Sequence, residues 1–126
     1  MNSKCLTEAL EQKMLFQWAT YNQSVMPELG LMFHIPNGGS RNKIEAHNLK
    51  LQGVKSGVPD ICLPVPRSGY HGLYIELKRC QGGRVSDDQK GWISALRGQG
   101  YAAVVAKGFD EAVKVIKTYI AGGKVF

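Results

Sequence analysis

The stretch Leu73-Tyr74-Ile75-Glu76-Leu77-Lys78 alternates apolar and polar side chains without a break. That two-residue period suits an extended strand with one buried face and does not suit a helix. Leu73, Ile75 and Leu77 then point one way and Tyr74, Glu76 and Lys78 the other. The strand-like composition runs over residues 70–79, and a second such segment covers residues 58–65. Only a short link containing Pro66, Ser68 and Gly69 lies between them, so an antiparallel hairpin is the simplest connection. The same alternation separates Asp60 and Cys62 from Ile61 and Leu63. It brings Asp60 beside Glu76 if the hairpin register allows.

Around this hairpin the periodicity is helical. Leu6, Leu10, Met14, Trp18 and Tyr21 recur at helix spacing, with Pro27 beyond them. Residues 31–35 form a short apolar run closed by Pro36-Asn37-Gly38-Gly39, which suits a strand entering a turn. A polar helical stretch over residues 42–51 ends at Gly53. A helix is expected from Ser86 to Gly98 or Gly100, a buried strand over residues 101–106, and a last helix capped by Asp110 and stopped at Gly122-Gly123. The order helix, strand, helix, strand, strand, helix, strand, helix predicts an α/β fold, a mixed central sheet flanked by helices. With no repeat or linker in sight, residues 1–126 read as a single domain.

Composition narrows the function. The chain has 126 residues, 44% of them hydrophobic, enough for one core without disulfide or zinc staples. Cys5, Cys62 and Cys80 form no CxxC pair and read as small buried hydrophobes in a reducing compartment. No segment has the apolar length of a signal peptide or membrane span, so a soluble cytoplasmic protein is expected. Sixteen Lys and Arg against ten Asp and Glu leave a formal charge of +6, which favours polyanionic partners. The three histidines share no metal-site spacing and read as structural or surface residues.

Two carboxylates and an ammonium on one sheet patch, Asp60, Glu76 and Lys78, would repel or pair as surface charges unless a cation lay among them. Oxygen donors of this kind favour Mg2+ or Mn2+. Pro59-Asp60 followed by Glu76-Leu77-Lys78 resembles the PD-(D/E)xK signature of restriction-endonuclease-like nucleases. With Ile35-Pro36-Asn37-Gly38-Gly39 and Gly57-Val58-Pro59-Asp60 added, nearly the whole chain resembles the virus-type replication-repair nuclease (VRR-NUC) family in its stand-alone phage and bacterial form. The resemblance implies a bacterial cytosol or an infected host cell as the setting. It implies a metal-dependent DNA endonuclease in which two acids and the Leu77 carbonyl hold the metal while Lys78 orients the attacking water. It also implies a third acid on the first helix. Glu11 lies roughly 65° from the centre of the apolar stripe and Glu8 roughly 125°, which favours Glu11.

Gln89 carries two readings. Ser86-Asp87-Asp88-Gln89 fits a capping box, whereas the resemblance puts a glutamine at this position beside the active site. Asn37 and Gly38 are either a tight turn or a place where backbone amides approach a phosphate. Arg41, Lys43, Lys50, Lys55, Arg79 and Arg84 could track DNA phosphates or simply face solvent. Stand-alone relatives imply a homodimer acting on branched DNA such as a Holliday junction. The rival reading is a nucleic-acid-binding module that kept the fold without cutting.

Overall fold

The computed structural model describes residues 5–36 and 42–126. Its elements follow the expected order: α1 (Glu8–Asn22), β1 (Phe33–His34), α2 (Lys43–Leu51), β2 (Ile61–Leu63), β3 (Leu73–Lys78), α3 (Asp87–Gly98), β4 (Ala102–Lys107) and α4 (Phe109–Ile120). One element was not foreseen. A 3-10 turn, Pro27–Leu31, takes Leu31 out of the first strand and shortens that strand to two residues. Proline at the start of the turn supplies the fixed backbone angle such a turn accepts.

The sheet runs β1-β2-β3-β4. β1, β2 and β3 pair antiparallel, and β4 joins β3 in parallel. The hairpin between β2 and β3 turns at Ser68 and Gly69, with φ of 50° and 85°. Two consecutive positive angles match the right-handed twist of the flanking strands. The pairing of Ile61 with Ile75 and Leu63 with Leu73 fixes the register. Extended by one residue, that register sets Asp60 opposite Glu76.

Each face of the sheet follows from the alternation. Ile61, Leu63, Leu73, Ile75, Leu77, Ala102, Val104 and Ala106 form a buried layer that meets Leu15 and Ala19 of α1 and Ala112, Ile116 and Tyr119 of α4. The Tyr119 hydroxyl donates to the Val65 carbonyl at 2.6 Å, tying α4 to the hairpin. The opposite face carries Cys62, Tyr74, Glu76 and Lys78, and α3 lies over it. Arg97 Nε reaches the Ala103 carbonyl at 2.9 Å. Neither α2 nor α3 contributes a buried residue.

Three expectations need correction. The buried stripe of α1 is Glu11, Leu15 and Ala19, whereas Leu10 and Tyr21 face outward. Helical spacing alone does not say which of two adjacent stripes the sheet selects, and α1 packs by its smaller residues against α4. Asp110 does not cap α4. Gly108 holds the cap position at φ 90°, no side chain of the neighbouring residues caps it, and Asp110 sits inside the first turn. Of the cysteines only Cys62 is free and buried. Cys5 and Cys80, 75 residues apart, form a disulfide with Cα atoms 5.8 Å apart, joining the lead into α1 to the segment after β3.

Candidate active site

Asp60 follows Pro59, which is fully buried. Its backbone carbonyl accepts the Ile35 amide at 2.6 Å and lies 2.8 Å from His34 Nδ1. Its carboxylate Oδ2 accepts the Leu77 amide at 2.9 Å. Two neighbouring strands therefore orient this one acid. A strand residue's amide and carbonyl leave on the same side, so the Leu77 carbonyl faces the same region as its amide.

Glu76 is 1% exposed. Its Oε2 lies 3.6 Å from Lys78 Nζ and accepts Gln89 Nε2 at 3.1 Å. Its Oε1 is buried with no hydrogen-bond donor. Burial, the Asp60 charge, a hydrogen bond with the Asp60 carboxyl and the Glu8 charge push the Glu76 acid up to about 8, with Lys78 opposing them. An unsatisfied buried carboxylate oxygen is costly. A cation shared with Asp60 is what this donor set fits. Among the described residues no three His, Cys, Asp or Glu side chains converge closely enough to cage an ion alone. The coordination would therefore have to be completed by backbone, water or substrate oxygens, as hard cations accept.

The two acids of α1 occupy different surroundings. Glu11 is buried, and its Oε2 accepts the Phe109 amide at the start of α4. It thereby does the capping that Asp110 was expected to do. A Cβ at Gly108 would fall 2.9 Å from that oxygen, and the φ of 90° already favours glycine. Gly108 in turn donates its amide to the Lys78 carbonyl at 2.8 Å, so Glu11 buttresses the end of β3 from behind. Glu8 is the acid whose charge reaches Glu76. About the observed stripe it lies only roughly 20° from centre, one turn before Glu11. The Thr7 hydroxyl, accepting the Leu10 amide at 3.2 Å, starts the helix so that Glu8 occupies its first turn. That cap was the available signal.

Gln89 closes the capping box and also reaches Glu76. Its Oε1 accepts the Ser86 amide at 2.8 Å while Ser86 Oγ accepts the Gln89 amide, which is a complete capping box. Its Nε2 is left to donate to Glu76. His34, read as a structural or surface residue, steadies the Asp60 backbone and was missed because nothing in the sequence marks a β1–β2 pairing.

Of the residues expected to meet DNA, Lys43 opens α2 in an exposed position and Lys55 is exposed in the loop after it. Arg79 Nε instead donates to the Leu6 carbonyl at 3.4 Å. Asn37, Gly38 and Arg41 lie outside the described residues.

The model of the VRR-NUC domain matches residues 4–110. The chain belongs to the VRR-NUC family. A solved structure described as a VRR_NUC domain protein is 36% identical, with 97% of this chain and 94% of that one covered and a TM-score of 0.82. No curated protein matches. The nuclease fold expected from the Pro-Asp and Glu-x-Lys motifs is thus present, and the VRR-NUC segment spans all the acids described above. No helix among the described residues is long and apolar enough to cross a membrane.

Proposed function

We propose that the protein is a metal-dependent endonuclease that hydrolyses phosphodiester bonds in DNA. The observation that carries this reading is Asp60 set opposite Glu76, with Glu76 Oε1 buried and undonated and Lys78 Nζ 3.6 Å from Oε2. A domain that only held DNA would gain nothing from two adjoining carboxylates facing a polyanion.

Asp60, Glu76 and the Leu77 carbonyl are the groups that would hold one or two Mg2+ or Mn2+ ions, with Glu8 beside them. Such an ion supplies Lewis acidity at the phosphate and favours a deprotonated water nucleophile. Lys78, buried and paired with Glu76, offers an ammonium to position that water and offset the charge developing on phosphate oxygens. Gln89 holds the Glu76 carboxylate in one orientation by donating to Oε2. The +6 charge supports a polyanionic substrate, and family likeness supports branched DNA and a two-fold dimer that presents two sites to opposed strands.

Incubating the protein with plasmid, linear, flapped and four-way-junction DNA in Mg2+, Mn2+ or EDTA tests this. Cleavage in metal and none in EDTA is expected, with Asp60→Ala and Lys78→Ala inactive. Binding without cleavage in every metal would leave the non-catalytic reading standing instead.

A further inference from the structure

An open groove of about 550 Å3 lies between the loop after α2 and the first turns of α3. Lys55 and Ser56 form one side; Asp87, Asp88, Gly91 and Trp92 form the other. The two walls are the segments that continue into the active site, because Lys55 precedes Asp60 by five residues and Asp88 precedes Gln89. Trp92 stands three residues after Gln89 and so shares its side of α3. The walls touch at the base of the groove. Gly57, at φ 90°, has so little room that a Cβ there would lie 2.7 Å from the Asp88 Cβ.

We propose that this groove is a subsite for one unpaired nucleobase of the DNA strand entering the active site. Three features point there. Trp92 is half-buried, and an indole wall beside a nuclease site offers a stacking surface for any base. Gly91 sits in the interior of α3, where glycine costs about 1 kcal/mol against alanine. Nothing lies within 4 Å of the place its Cβ would occupy, so neither protein packing nor a positive φ requires glycine there. The missing side chain leaves open space next to the indole. Third, Asp87 and Asp88 would repel a phosphate but accept from the exocyclic amine of cytosine or adenine, while Lys55 across the groove suits the phosphate attached to that base. In continuous duplex the neighbouring base pairs cover the face that would stack on Trp92. The subsite therefore selects strands with an unpaired or extruded nucleotide and disfavours continuous duplex. This rests on the nuclease reading for its location, though base capture can be measured without cleavage.

The test uses short single strands and one-nucleotide flaps carrying 2-aminopurine, with Ca2+ replacing Mg2+, and records fluorescence on adding the full chain. Stacking on Trp92 is expected to quench it. Trp92→Ala should abolish the quench and raise KM on flapped DNA by roughly 5- to 150-fold, the worth of one stacked base, while Trp92→Phe keeps most of both. Cleavage of fully paired DNA by Trp92→Ala should change less than about two-fold, a span below one stacked base. Lys55→Ala should weaken all single-stranded probes and reduce the salt slope by about 0.7. No quench with the wild-type chain, or an equal KM change on flapped and paired DNA with an unaltered melting curve, overturns the subsite. Quenching without cleavage in any metal would sustain the subsite and overturn the nuclease reading.

Discussion

The two faces of the sheet have been given different work. On one, α1 and α4 bury an unbroken apolar layer from Leu15 to Ile116 and Tyr119. On the other, the covering helix α3 buries no residue of its own, yet that is where Glu76 and Lys78 are held at 1% and 8% exposure. Stability is concentrated on the first face and electrostatic cost on the second. The cover over the second face is sparse, while the dense face keeps the strands beneath rigid.

The sharpest way to break this division is to mutate across it. Asp60→Asn and Lys78→Ala are expected to lower cleavage at least about 100-fold, the usual scale for removing a group that stabilises developing charge. The urea unfolding midpoint of Asp60→Asn, which keeps an acceptor for the Leu77 amide, should stay near wild type. Ile75→Ala, on the opposite side of the same strand, should cost about 2–5 kcal/mol of stability. Stability losses of equal size in Asp60→Asn and Ile75→Ala would erase the distinction.

A finer test is offered by α1, which serves both faces. Glu8→Gln should reduce cleavage by about 10- to 100-fold with little change in melting. Glu11→Ala should cost about 1–3 kcal/mol by leaving the Phe109 amide without its acceptor. If Glu11→Gln, which keeps an acceptor, loses activity as Glu8→Gln does, both acids belong to the metal site.

Glu76 gives a pH signature. Its folded acid, at about 8, lies above its ordinary value of 4.5. Between those two values the folded chain binds more protons than the unfolded chain, so stability falls as pH rises. Melting temperature in EDTA should therefore decline from pH 5 to pH 8, and Glu76→Gln should flatten the curve. A rising curve would mean that Glu76 is ionised even without metal.

The smallest effect on activity belongs to the disulfide. Reducing Cys5–Cys80 releases a closure of 75 residues, worth at most about 4.5 kcal/mol of stability on chain entropy. Thiol titration of the unfolded, unreduced chain should count one free thiol, Cys62.

The readable part of the molecule was the part written in local period. Alternation over residues 73–78 placed Glu76 with Lys78 and opposite Leu77, and it separated the two faces before any contact was known. The order of elements followed from similar short-range patterns. What escaped depended on long-range partners. The stripe of α1 that reaches the core was set by α4, nearly a hundred residues later, so the more apolar stripe was not the buried one. The acid expected to cap α4 was sought next to that helix, whereas the fold supplies it from α1. Cys5 and Cys80 carried no spacing signal because folding alone makes them neighbours. The Asp60–Glu76 pairing was conditional on a register that the turn alone does not give, because the Arg67–Tyr70 pair at the turn and the Leu63–Leu73 pair in the ladder are offset by one residue.

The side-chain amide of Gln89 makes two bonds at once: one end closes the first turn of α3, the other steadies Glu76. That leaves the position little freedom to change by drift. Glutamate would keep the cap but bring another negative charge against an already crowded acid, asparagine is one carbon short of spanning both partners, and alanine forfeits both bonds. Fraying at the start of this helix is thereby converted into disorder of a carboxylate on the sheet, so reactivity should be lost before the fold is.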